Sequence, residues 1–120
     1  MSSTGFQNLL VYRLSEQLSD DIWSLVSTWD YLAKMTIGKQ LIRSADSIGA
    51  NIAEGSGRGS FQDNRRFVRI ARGSLYEVRH WLRRAYARGL MNEDQIQRNQ
   101  LLVAELYPKL NAYLKSIGRT

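Results

Sequence analysis

The sequence predicts an all-α fold, an antiparallel up-and-down four-helix bundle. Three observations lead there. Apolar residues recur at spacings of three and four through four separate segments, the repeat of one helix face. A single Pro in 120 residues suits long helices and argues against a turn-rich β fold. The connections between the segments are short, which places consecutive helices side by side and antiparallel.

The first helix is expected over about residues 7–31, where Leu10, Leu14, Leu18, Ile22, Leu25, Val26 and Trp29 form one face. Glu16, Gln17, Asp20, Asp21 and Ser24 mostly fill the others, and Asp30 to Met35 reads as a connection. The second helix is expected over about 36–54, on a stripe of Ile37, Leu41, Ala45, Ile48 and Ile52 with many small residues in its second half. Glycine inside a helix costs about 1 kcal/mol relative to Ala. Gly49 therefore points to close approach by a neighbouring helix. The run Gly55-Ser56-Gly57-Arg58-Gly59-Ser60 closes this helix and reverses the chain, and Ser60 or Asp63 can cap the next.

The third helix is expected over about 61–88. Its apolar side holds Phe67, Ile70, Ala71, Ser74, Leu75, Val78, Trp81, Leu82 and Ala85, and Gly89 follows as a C-cap. Asn92-Glu93-Asp94 has the form of an N-cap with an acidic first turn. The fourth helix then runs over about 93–116, its stripe carried by Ile96, Leu102 or Val103, Leu106, Leu110, Tyr113 or Leu114, and Ile117. Pro108 is expected to kink it or limit its stable part.

Composition removes several function classes. The 120 residues form a single domain with a real core and leave no room for a separate catalytic one. There is no Cys, so disulfides, thiolate metal sites and cysteine nucleophiles are excluded. With one His, a multi-His metal site within one chain is not expected, and neither is a cofactor. The start, Met1-Ser-Ser-Thr-Gly5, is polar and lacks the basic-then-apolar pattern of a secretion signal. No apolar run approaches the roughly 20 residues of a membrane span. These features lead us to expect a cytoplasmic protein with no membrane association.

The net charge is +6, and the sequence pI is about 10.0. That excess is not evenly spread. Residues 58–88 hold nine arginines, Arg58, Arg65, Arg66, Arg69, Arg72, Arg79, Arg83, Arg84 and Arg88, against Asp63 and Glu77, a net of +7. The rest of the chain has eight basic and nine acidic groups. Arg65, Arg69, Arg72, Arg79 and Arg83 step by four, three, seven and four. At about 100° per residue they form one stripe, with Tyr76 in its gap and the Phe67–Val78–Ala85 face roughly opposite. Like charges four apart repel by a few tenths of a kcal/mol per pair, so a helix built only for solubility would interleave Glu. Arginine suits bidentate phosphate contact and stacking on bases. The competing reading is a solvated face, or one paired with acids across a subunit interface.

Other constellations carry less. Glu77-x-x-His80 matches the Glu-x-x-His element of di-iron four-helix bundles, but such a site needs two of these elements and two further Glu. Gly55-x-Gly57-x-Gly59 follows a helix rather than a strand, and no Lys-Ser/Thr pair follows it, so it is a turn. Arg72 precedes His80 by seven intervening residues and Arg79 adjoins it, which misses the Arg–His spacing of helical nucleases. No Ser is marked as an activated nucleophile. Asn51 and Glu54 lie beside an apolar stripe, where pairing with an arginine of a neighbouring helix is the plain expectation.

Two stretches resemble a known family. Arg43-x-Ala45-x-Ser47-Ile48-x-Ala50-Asn51-Ile52-Ala53-Glu54-Gly55-x-Gly57-Arg58 is the first, and Ala71-Arg72-Gly73-Ser74-Leu75-x-Glu77 is the second. They are similar to the signature of the four-helix-bundle family of bacterial rRNA intervening-sequence proteins and the accessory variability proteins of diversity-generating retroelements. The resemblance covers nearly the whole chain. Family members often carry Phe-Pro between the first two helices, where this chain has Trp29-Asp30-Tyr31-Leu32. The resemblance implies a ring-shaped homopentamer and a basic surface that binds nucleic acid without catalysis. For the retroelement members it also implies a reverse transcriptase partner. Arg43, Ser47, Asn51, Glu54, Gly55, Gly73, Ser74 and Glu77 match the signature and are expected to be structural. Arg72 lies inside it too, where pairing with Glu54 or Glu77 is an alternative to ligand contact.

The expected function is therefore a non-enzymatic, oligomeric protein that binds RNA or DNA phosphates through the arginines of residues 58–88, with little base specificity. The alternative is an interaction module whose arginine stripe docks on an acidic partner or a sister subunit. A small enzyme is the weakest reading, and a deep pocket gathering Arg43, Asn51, Glu54 and His80 would be its sign.

Overall fold

A computed structural model describes residues 3–119. The elements are α1 (Ser3–Ser27), α2 (Tyr31–Ala33), a π-helical turn (Lys34–Gly38), α3 (Lys39–Ser56), α4 (Phe61–Ala87) and α5 (Glu93–Ser116). Residues 31–56 run on without a break, so the described chain is four long helices and contains no strand. α1 packs on α3 and α5, and α4 packs on the same two from the other side. α1 and α4 are thus diagonal in a bundle measuring 48 × 23 × 18 Å.

Two helix boundaries differ from the sequence reading, and each has a local cause. α1 stops at Ser27 rather than near residue 31 because Ser27 and Thr28 turn their hydroxyls onto the carbonyls of Ser24 and Leu25, both at 2.7 Å. Serine and threonine compete with the helix ladder in this way. Residues 30–35 are not a loose connection. The Asp30 carboxylate accepts from the Ala33 amide at 2.9 Å and caps a new helix there. The π turn then widens the helix by one residue. It leads into Gly38, where a Cβ would meet Val26 Cγ1 at 2.7 Å. The second helix therefore starts five residues before the expected 36 and closes tightly on α1.

The other ends follow from capping chemistry. Ser60 accepts from the Asp63 amide at 3.1 Å and starts α4. Asn92 and Gln95 cap α5 reciprocally, at 2.8 and 2.9 Å. α5 passes through Pro108 as one continuous helix. Val103, Leu106, Leu110 and Tyr113 are buried on both sides of the proline, so core burial outweighs the lost backbone bond.

The core runs the length of the bundle, with Leu18, Ile22, Leu41, Ile48, Leu75, Leu82 and Leu106 fully enclosed. On α4 the buried side includes Val68, whereas Ile70 is exposed and Phe67 only partly covered. That corrects the apolar face assigned from periodicity. Asn8 of α1 and Asn64 of α4 both donate to the buried Tyr113 hydroxyl of α5, at 2.8 and 3.4 Å, and tie one end together.

The family-signature residues lie where α3 crosses α4. Ser74 donates to the Ser47 hydroxyl at 2.9 Å, and Asn51 donates to the same hydroxyl at 2.9 Å and to the Ser47 carbonyl at 2.8 Å. Ser44 donates to Glu77 at 3.0 Å. Gly55 is buried, and a Cβ on it would lie 2.6 Å from Asn64 Oδ1 and 3.1 Å from the Asn64 carbonyl. Gly49 fulfils the expectation of close approach, with the Ser15 hydroxyl of α1 3.0 Å from a Cβ there. Three signature residues do not join this interface, among them Glu54, which is exposed and bonds Arg58 of the following turn. Gly73 is exposed with open space around it, and Arg43 is exposed with no hydrogen-bond partner among the described residues.

Gly55→Ala will lower stability by about 1–3 kcal/mol through overpacking. Gly73→Ala will raise it by about 0.5–1 kcal/mol, because helix propensity acts there without steric cost. Urea unfolding followed by circular dichroism reads both, and equal effects at the two glycines would contradict the crossing geometry described here.

Candidate nucleic-acid interface

The arginine stripe is carried by α4, but it is not set opposite the core as the sequence pattern suggested. With Val68 buried, the helix is rotated so that one edge of the stripe leans onto α5. Arg65 Nη1 donates to the Ile117 carbonyl at 2.9 Å, and Arg72 Nη1 donates to Asn111 Oδ1 at 3.1 Å. Both side chains are half-buried. Arg72 therefore pairs with neither Glu54 nor Glu77.

Two arginines near the start of α4 are partly occupied. Arg58 binds Glu54 at 2.6 Å, and Arg66 lies 3.7 Å from Asp63. The guanidinium groups of both sit over the Phe67 ring, 4.8 and 4.6 Å from its centroid. Arg58 and Arg66 thus share one aromatic ring. Glu54 is exposed and reaches the arginine four residues on in its own chain, so it is not the buried carboxylate anticipated beside the α3 stripe. Surface pairs of this kind contribute little, about 0–1 kcal/mol each, and can be exchanged for another anion.

Arg69, Arg79, Arg83, Arg84 and Arg88 are exposed, and among the described residues none has a hydrogen-bond or ion-pair partner. From Arg69 to Arg83 the helix rises about 21 Å at 1.5 Å per residue. Guanidinium groups spaced along such a rod can each take a phosphate in a bidentate fork. His80 is exposed on the same side, its ring edge-to-face with Trp81 at 4.8 Å.

Tyr76 fills the gap in the stripe and meets Tyr107 of α5. The ring centroids are 5.4 Å apart at 63°, and the two hydroxyls are hydrogen-bonded. The bond from Tyr76, seconded by Asn111, lowers the Tyr107 hydroxyl below the usual phenol range. The same bond raises Tyr76 above it. Arg72 and Arg79 add positive charge that favours the phenolate at both rings. Tyr86 differs, because its hydrogen bond to Glu93, and then the charge of that carboxylate, push its hydroxyl up.

Two clefts flank this pair. One, about 350 Å³, lies between α4 and α5 and is lined by Leu75, Tyr76, Arg79, Gln100, Val103, Ala104 and Tyr107. The other, about 520 Å³, runs along α4 past Arg79, His80, Arg83 and Arg84. Tyr76 and Arg79 belong to both. Tyr107 and Asn111 were not singled out in the sequence. The five residues between α4 and α5 force a hairpin that sets Tyr107 across from Tyr76, and that register was the available signal. On the far side, Glu16, Asp20 and Asp46 border a third cleft of about 350 Å³ between α1 and α3.

No described cavity gathers Arg43, Asn51, Glu54 and His80. Among the described residues no group of three or more Asp, Glu or His is placed to hold a metal ion. No described helix is long and apolar enough to cross a membrane.

Comparison with known proteins bears on the fold and the family. A crystal structure from Bacteroides thetaiotaomicron, described as a protein of unknown function from the S23 ribosomal protein family, superposes with a TM-score of 0.82. It is 24% identical and the match covers 92% of this chain and 99% of that one, which establishes the shared four-helix fold. No curated protein matches the chain. The family model described as 23S rRNA-intervening sequence protein matches residues 7–112, nearly the whole bundle and both halves of the α3–α4 signature. The chain belongs to the 23S rRNA-intervening sequence protein family.

Proposed function

We propose that this protein binds nucleic acid as a non-enzymatic oligomer, holding RNA or DNA phosphates against α4 with little base specificity. One observation carries the reading: Arg69, Arg79, Arg83, Arg84 and Arg88 are exposed along α4 and its C-cap, and none has an ion-pair partner among the described residues. Such a row repels itself, and a polyanion relieves that repulsion while releasing its own counterions. The family description, which places these proteins with intervening sequences of 23S rRNA, supports a nucleic-acid setting.

Assembly is part of the proposal. The resemblance to intervening-sequence and retroelement accessory proteins suggests a homopentameric ring, and a reverse transcriptase as partner in the retroelement branch. Tyr31, Leu32 and Met35 form an exposed apolar corner that favours contact with another protein surface. Several copies would multiply the effective concentration of each basic stripe. A cytoplasmic location fits the same reading.

One observation favours the second reading, a scaffold in which the arginines meet a sister subunit. The acidic cleft of Glu16, Asp20 and Asp46 lies on the side of the bundle away from the α4–α5 edge. It could receive the stripe of a neighbouring copy.

A titration at several salt concentrations tests the first reading. With about five phosphate contacts, affinity for duplex will fall on the order of 10² to 10³-fold between about 50 and 200 mM salt. The double change Arg69→Glu and Arg83→Glu will abolish most of the binding and leave the thermal unfolding midpoint nearly unchanged. Salt-insensitive binding, or binding that survives the double change, contradicts phosphate contact. Arg72→Ala will instead cost about 0.5–1.5 kcal/mol of stability, with a smaller loss of affinity. Light scattering reads the assembly: a mass several times the 13.8 kDa protomer is expected. If Arg69→Glu with Arg83→Glu reduces that mass to a single protomer, the stripe is a subunit contact and the second reading holds.

A further inference from the structure

We propose that the cleft between α4 and α5 receives an unstacked base of a single strand, so that the preferred ligand is single-stranded nucleic acid rather than duplex. The inference rests on the nucleic-acid reading above and specifies the form of the ligand.

The cleft has the chemistry of a base slot. Leu75, Val103 and Ala104 give it apolar walls, Tyr76 and Tyr107 stand beside them, and Arg79 is its one charged lining residue. Its volume of about 350 Å³ lies at the lower end of small-ligand sites and suits one planar heterocycle. The tyrosines meet edge to face, an arrangement that covers only one face of one ring and leaves π surface open to a third. A tyrosine kept for packing would be buried, whereas Tyr76 is 46% exposed.

The slot is also held in place. Tyr107 is bonded to Tyr76, and Asn111, one turn further along α5, accepts from Arg72 at 3.1 Å. Little ordering is left to be done when a base arrives, which favours affinity. Arg79 belongs to this cleft and to the neighbouring one that holds Arg83 and Arg84. A base stacked against the open face of the tyrosine pair thus places its flanking phosphates along a row of free guanidinium groups. Aromatic side chains interleaved with a positively charged track are how single strands are held without sequence readout, since every base has a π face. A base inside a duplex is stacked on both sides and cannot enter. The other exposed tyrosine of α4, Tyr86, is tied to the carboxylate of Glu93 and lines neither cleft.

The test uses the full chain, fluorescence anisotropy, and a fluorescein-labelled mixed-sequence strand of about 12 nucleotides, as RNA and as DNA, each alone and as a duplex. Single strands will bind on the order of tenfold more tightly than duplex, in line with one stacked base. Tyr76→Leu and Tyr107→Leu will each remove that margin while duplex affinity stays the same. Tyr76→Phe will keep most of it, and Tyr86→Leu will change nothing. In the unaltered protein, 5-iodouracil placed in the strand will crosslink to Tyr76 or Tyr107. Equal affinity for single strand and duplex, or crosslinks confined to other residues, overturns the base slot while leaving phosphate binding intact. Failure of both forms to bind overturns the slot and the nucleic-acid reading together.

Discussion

The close crossing of α3 and α4 is the constraint on which the other arrangements depend. Gly55 has no room for a methyl group against Asn64, and the hydroxyls of Ser47 and Ser74 touch across the same seam. Small residues let two backbones approach until side-chain hydroxyls, not long side chains, mediate the contact. That closeness fixes the rotation of α4, buries Val68, Ala71 and Val78, and turns the arginines outward and toward α5. A longer side chain at position 55 would lift α4 away from α3 and change where every arginine points.

The basic surface has two kinds of arginine that composition does not distinguish. Arg65 and Arg72 act as struts between α4 and α5, each spending a guanidinium donor on an acceptor of the last helix. Arg69, Arg79, Arg83, Arg84 and Arg88 have no such acceptor among the described residues. The struts hold the α4–α5 edge in register, so the free charges project from a surface of fixed shape. Tyr76 and Tyr107 close the same edge. Charge and aromatic surface are brought together because one helix supplies the first and its hairpin partner completes the second.

Much of the bundle was legible in the sequence because periodicity and caps are local. Leu10 to Trp29 already describe the α1 face, and Ser60 and Asn92 announce helix starts through their own side chains. What was not legible depended on neighbours. The π turn at Lys34–Gly38 exists where Gly38 sits against Val26 of another helix, and nothing in residues 30–38 reports that distance. The Asp30 cap was readable in principle, but Trp29-Asp30-Tyr31 looked like a connection. Arg72 could have been matched to any of several acceptors until the α4–α5 register chose Asn111. The resemblance to intervening-sequence proteins contributed the seam, since Ser47, Asn51 and Ser74 are ordinary residues until one knows that two helices meet there.

Pro108 has no amide hydrogen, so the helical bond that would end on the carbonyl of Ala104 has no donor. Ala104 lines the cleft between α4 and α5. The apolar wall of Leu75, Val103 and Ala104 therefore includes a residue whose peptide oxygen has spare accepting capacity, held between the turns of helix above and below it. The one proline of the chain leaves the fold intact and adds polarity to a single spot on its surface.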